Sequence, residues 1–208
     1  MSEYEAVILP IYGKENTDRV NAYVREIASI VTGSQTEIPV RGEYFRAYVG
    51  DETKTLIDFR NIRLGEKIAE WEISGYPQRI ECGERDIDQR TCVVASRITG
   101  EKKIVPLDEL QNTLALMAEA GQKALLEKSR VRLRENTVPC KSLEDIGEAV
   151  NDGKFALYEW DKNPTFEQEI KDRFKATTRC IPFEGQFTDT LLTPEKSDTV
   201  RVIVARNF

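Results

Sequence analysis

Histidine is absent from this 208-residue sequence. Its absence removes Ser-His-Asp and Cys-His nucleophile systems, histidine general bases and histidine-ligated metals. Cysteine is sparse: Cys82, Cys92, Cys140 and Cys180 stand far apart, with no Cys-x-x-Cys pair. Thiols scattered in this way read as reduced side chains in a reducing compartment, and zinc would need ligands gathered from distant segments. No run approaches the roughly 18 uninterrupted apolar residues of a membrane helix. The start, Met1-Ser2-Glu3-Tyr4-Glu5, lacks the basic residues and apolar run of an export signal. The expectation is a cytoplasmic chain with no membrane partner. Neither type of Gly-rich phosphate loop occurs, nor His-Glu-x-x-His, nor Gly-x-Ser-x-Gly. No catalytic residue is assigned.

What is present is an ordinary globular balance, 40% hydrophobic and 32% charged, in a chain long enough for two compact units. Thirty basic residues face 36 acidic ones, for a net charge of −6. A protein holding nucleic acid mainly by neutralising phosphates is usually basic. Any RNA binding here should therefore be local and should read base edges, and no DNA partner is expected.

Residues 5–11 form a short apolar run ending near a proline, as in a buried strand. Asn16-Thr17-Asp18 offers an N-cap, and Val20, Tyr23, Val24, Ile27, Ile30 and Val31 follow at helical spacing until Gly33. A strand followed by a helix suggests an α/β unit with a parallel sheet. The stretch 34–54 is not assigned, although 43–49 suits an additional strand or a hairpin arm. Strands are predicted at 55–59, 78–82, 92–98 and 103–105, and a helix over 65–73. A long helix starts after Pro106, with Leu107, Leu110, Leu114, Met117, Ala118, Leu125 and Leu126 on one face and a weak point at Gly121. Beyond it, Ser142-Leu143-Glu144-Asp145 reads as a helix start, 155–160 as a strand, 165–174 as a helix and 200–205 as a closing strand. The organisation expected is an α/β domain over 1–108, a bridging helix over 109–136 and a small α+β domain over 137–208.

The segment 58–90 interleaves six basic residues (Arg60, Arg63, Lys67, Arg79, Arg85, Arg90) with eight acidic ones. A solvated lattice of ion pairs would have this composition. So would a site that reads guanine, whose N1–H and N2–H₂ donors suit a carboxylate and whose O6 and N7 acceptors suit arginine.

The same segment resembles the anticodon-binding domain of prolyl-tRNA synthetases of the archaeal and eukaryotic type. Asp58, Arg60, Arg63, Gly65, Lys67, Glu70, Trp71, Glu72, Gly75, Pro77, Arg79, Glu81, Gly83, Arg85 and Asp86 fill the family pattern without a gap, and Ile68 stands where the family has Phe. Thr99-Gly100-Glu101-Lys102 and 105–110 also match. In the carboxy-terminal part, Ala176-Thr177-Thr178-Arg179-Cys180-Ile181-Pro182-Phe183 is similar to a phrase of the extra domain these enzymes carry. The resemblance spans roughly 5–32 and 55–208. It implies a mixed five-stranded sheet flanked by helices, then the small α+β domain.

The resemblance further implies recognition of the tRNA(Pro) anticodon loop, whose second and third positions are guanines. The implied contact residues are Glu72, Arg79, Arg85 and Asp86, with Lys67 beside them and Ile68 at the place of a base-stacking Phe. Nothing resembles the aminoacylation core. Trp160-Asp161-Lys162-Asn163-Pro164 stands where the family has Trp-Cys-Gly, and Leu191-Leu192-Thr193-Pro194 falls near its second cysteine pair. The expectation is accordingly no zinc and no other cofactor. Family chains usually end in Tyr, whereas this one ends in Arg206-Asn207-Phe208. The alternative is a diverged accessory subunit, without base-specific RNA binding, that docks on a synthetase catalytic core or another protein.

Overall fold

Ala6–Pro10 (β1) is buried along its whole length. An apolar strand of this kind belongs in the middle of a sheet covered on both faces. In the computed structural model, which describes residues 3–13, 16–40, 42–51, 53–183 and 199–206, it does so. Helix α1 (Thr17–Thr32) covers one face through Val20, Tyr23, Val24, Ile27, Ala28 and Val31, which pack with Ala6 and Ile8. It ends at Gly33, whose φ of 66° is the left-handed conformation that glycine adopts at little cost. Asn16 occupies the N-cap position, but its side chain does not cap; its amide donates to Glu84.

The strands that follow are β2 (Glu37–Pro39), β3 (Phe45–Val49), β4 (Lys54–Asp58), β5 (Gln78–Cys82), β6 (Thr91–Ser96) and β7 (Lys102–Pro106). With β1 they form a seven-stranded sheet in the order β2-β3-β4-β1-β5-β6-β7. The central trio β4-β1-β5 is parallel and the outer pairings are antiparallel. The sheet is mixed, as expected, but has seven strands where the resemblance implied five. The difference is the 34–54 stretch, which folds as the β2–β3 hairpin and extends the sheet beyond β4. Glu37 anchors this hairpin by accepting from Arg25 of α1 at 3.0 Å and from the Tyr48 hydroxyl at 2.8 Å.

Side chains alternate across a strand, so Val7 and Leu9 face away from α1. They pack instead with Ala47, Leu56 and Trp71, under helix α2 (Leu64–Ile73). A six-residue helix, α3 (Glu84–Gln89), links β5 to β6 and was not anticipated. After a 3-10 turn at Leu107–Glu109, helix α4 runs unbroken over Leu110–Glu135, burying Leu110, Leu114 and Met117 against the α1 face of the sheet. Gly121 does not weaken it. A Cβ there would come within 3.2 Å of Ile98, so the glycine serves a close approach.

The chain divides into two compact units, 1–126 and 127–208, and the division falls inside α4. The second unit holds β8 (Thr137–Cys140), α5 (Leu143–Asn151), β9 (Phe155–Trp160), α6 (Phe166–Phe174), β10 (Ala176–Cys180) and β11 (Val200–Arg206). Its four strands run in the order β10-β11-β9-β8, and only β8–β9 is parallel. Ser142 caps α5 reciprocally with Asp145, as its sequence suggests. Ile146, Val150, Ala156, Phe166, Ile170, Val202 and Val204 form the core of this α+β unit. Among the described residues no helix is long and apolar enough to cross a membrane.

Candidate anticodon interface

Strand β5 carries the first part of the site. Its Ile80 and Cys82 enter the core with α1, so Arg79 and Glu81 must project to the α2 side. Register sets Arg79 beside Val7 and Glu81 beside Leu9. Helix α2 covers the β1 and β4 portion of that face. Among the described residues of this unit, no helix covers the portion over β5, β6 and β7, and Ile104 there is 72% exposed.

Charges of both signs lie in a continuous chain over this open face. Arg79 donates Nη1 to Glu72 at 2.9 Å and Nε to Glu81 at 2.9 Å. The second oxygen of Glu81 accepts from Lys102 at 2.8 Å. Glu81 is almost fully buried. Burial alone raises its pKa, but the hydrogen bonds and charges of Lys102 and Arg79 outweigh that and hold the carboxyl below its ordinary range. Glu72, Arg79 and Ile68 line one crevice together with Trp71, Tyr76 and Arg97.

The sequence-derived residues therefore separate into three groups. Glu72, Arg79 and Ile68 come together, with Ile68 half-buried against the Val7–Leu9–Trp71 cluster. Arg85 and Asp86 sit on α3, past the far end of β5. Arg85 is exposed, and Asp86 caps its own helix by accepting from the Gly83 amide at 2.8 Å. Lys67 does not belong to the surface at all. It is 1% exposed, and its ammonium donates inward to the carbonyl of Asp58 at 3.0 Å and lies 5.5 Å from the Tyr12 ring. Burial pushes its pKa down to about 8 despite the nearby Asp58 charge. Leu64, Lys67, Ile68 and Trp71 recur at i, i+3, i+4 and i+7, the spacing of a buried helix stripe. That spacing was the available signal against a surface role.

Beneath the crevice lies a second, internal network that the sequence reading missed. The fully buried Asp58 accepts two bonds from the Arg60 guanidinium, at 3.0 and 2.8 Å, one from the Arg60 amide at 3.1 Å and one from the Trp71 indole at 2.9 Å. Desolvation opposes its charge, but these bonds prevail and its pKa is lowered. Arg60 also reaches Glu70 at 2.8 Å. This network fixes α2 on the sheet, and so places Glu72 over Arg79. Glu81 and Lys102, although part of the matched pattern, were likewise not assigned to the site. Their signal was the two-residue step from Arg79 to Glu81, which puts both on one face.

Comparison with known proteins identifies the family. The family described as "Anticodon binding domain" matches residues 5–116, more than half of the chain. The chain belongs to the anticodon-binding domain family. A second match, described as "Prolyl-tRNA synthetase, C-terminal", covers residues 143–208. In this order the two matches are those of the C-terminal region of prolyl-tRNA synthetases.

A proline–tRNA ligase of Porphyromonas gingivalis is 31% identical over the whole chain, which covers 39% of that relative. One from Natranaerobius thermophilus is 38% identical over 59% of the chain, covering 26% of the relative. The fold of this anticodon-binding family member is shared with a crystal structure of prolyl-tRNA synthetase from Cryptosporidium parvum complexed with L-proline and AMP. The TM-score is 0.73, at 24% identity, over 99% of this chain and 41% of that one. The chain thus spans about two-fifths of the length of such relatives.

Proposed function

We propose that this chain is the anticodon-reading, non-catalytic part of a cytoplasmic proline–tRNA ligase, and that its partner is the anticodon loop of tRNA(Pro). The observation that carries this reading is the Glu72–Arg79–Glu81 arrangement on the open face of the sheet. A carboxylate suited to guanine N–H donors stands beside a guanidinium suited to guanine acceptors, within one crevice. The net charge of −6 fits a site that reads bases, with little reliance on general attraction to phosphate.

No zinc is proposed for it. Cys140 lies buried in the core of the second unit and Asp161 closes a turn by accepting from the Asn163 amide, so neither is presented as a ligand. Leu191-Leu192-Thr193-Pro194 lies outside the described residues.

The test is binding of this chain to a proline anticodon stem-loop and to the same loop with both guanines replaced by adenine. A preference above about tenfold, or some 1.4 kcal/mol, is expected. Arg79→Ala and Glu72→Ala should each cost about 1–3 kcal/mol of binding to the guanine loop. Equal binding of both loops by the wild-type chain would refute the reading and favour an accessory, protein-docking role.

A further inference from the structure

Glu81 presents almost no surface to RNA, and each of its oxygens is engaged. Its side chain is only 5% exposed, one oxygen is taken by Arg79 Nε at 2.9 Å and the other by Lys102 Nζ at 2.8 Å. Arg79 is itself held from its other side by Glu72 at 2.9 Å, and is 19% exposed. With Nε and Nη1 engaged, the guanidinium plane is set, and its remaining donors are Nη2 and the second hydrogen of Nη1. A cation flanked by two carboxylates is weakly attractive to phosphate, because its charge is already matched. Its fixed edge still offers paired donors to a base. Lys102, although 52% exposed, is likewise tied to Glu81.

The geometry points to Glu81 as a positioning residue that keeps Arg79 and Lys102 off the RNA backbone, so that Arg79 serves as a base reader and not as a phosphate contact. This inference rests on the anticodon-reading function proposed above and names the residue that gives the site its selectivity. It also accounts for how arginine and lysine can line an RNA-facing surface without adding general stickiness. Loss of the Glu81 charge should have two effects in opposite directions. Discrimination between loops falls, because the guanidinium edge is no longer fixed. Salt-dependent binding to any loop rises, because two cations are released toward phosphates.

The experiment measures the affinity of wild type and Glu81→Gln for the guanine and adenine stem-loops at several salt concentrations, with thermal unfolding as a check on folding. The expected result is an approximately tenfold smaller preference for the guanine loop, together with a salt dependence steeper by about 1.4 units of log K per log salt, about 0.7 for each of the two released cations. An unchanged preference overturns the inference. So does weaker binding to both loops at an unchanged slope, which is the signature of simple structural damage.

A second variant, Lys102→Ala on the exposed edge strand, keeps the question answerable should Glu81→Gln unfold. If Glu81 withholds Lys102 from phosphate, removing that ammonium leaves the wild-type salt slope unchanged. A slope shallower by about 0.7, the value for one single-strand phosphate contact, overturns the inference. Failure of the underlying function is visible separately, because it appears as absent discrimination in the wild-type chain, and the inference falls with it.

Discussion

Replacing Lys67 by methionine should remove a distinctive rise of stability with pH. The Lys67 ammonium is buried to 1% exposure and bonded to the Asp58 carbonyl. Burial lowers its pKa from 10.5 to about 8, Asp58 offsets part of that fall, and Arg60 adds to it. In the unfolded chain the same lysine titrates near its ordinary value. Between about pH 8 and 10.5 the unfolded state therefore binds more protons than the folded state, and stability rises with pH through that window.

One proton released across a full pH unit is worth about 1.4 kcal/mol, so the rise over the whole window is about 3 kcal/mol. Lys67→Met keeps the aliphatic stem and abolishes the titration. The difference between wild type and variant should then climb by about 3 kcal/mol from about pH 7.5 to 10.5, while tyrosine and cysteine titrations common to both proteins cancel. The assay is urea unfolding at each pH, followed by Trp71 fluorescence in a Trp160→Phe background, so that the signal comes from the first unit. Trp71 is a suitable reporter because it packs edge-on against Tyr76 and Phe45 and donates to Asp58. Parallel stability curves for the two proteins would refute the burial argument and return Lys67 to the surface.

Two further outcomes follow from packing and charge. Asp58→Asn removes the anion that Arg60 and Trp71 converge on inside the sheet–α2 layer, and should cost about 3–5 kcal/mol by chemical denaturation, as for other broken buried pairs. Gly147→Ala in α5 puts a Cβ within 2.4 Å of the Phe174 ring, and should lower the stability of the second unit by about 1–3 kcal/mol in thermal unfolding, with little change in the first.

Much of this architecture was legible in the residues because local rules and burial agree. The 5–11 run, the α1 stripe closed by Gly33, the Ser142–Asp145 capping box and the β-branched 200–205 run all lie where pattern places them. The hairpin within 34–54 was not. β2 has three residues and a weak pattern, and its place is set by pairing to β3 and by the reach of Glu37 to Arg25 on α1. Helix α3 was missed for a similar reason, since its six residues, nearly all charged or polar, carry no apolar stripe.

By itself the sequence determined the α/β class, the exclusion of histidine chemistry and the concentration of alternating charge in 58–90. It also carried the family signature, because these depend on residue identity and short spacing. Only the tertiary structure decided what each charge is used for. Arg60 and Lys67 turn inward, Arg79 is clamped between Glu72 and Glu81, and Lys102, 21 residues from Glu81 in sequence, completes the chain of charges. The physical reason is that a charged side chain's role depends on its desolvation and its partners. Both come from strand register and helix docking, which join residues that no local pattern connects.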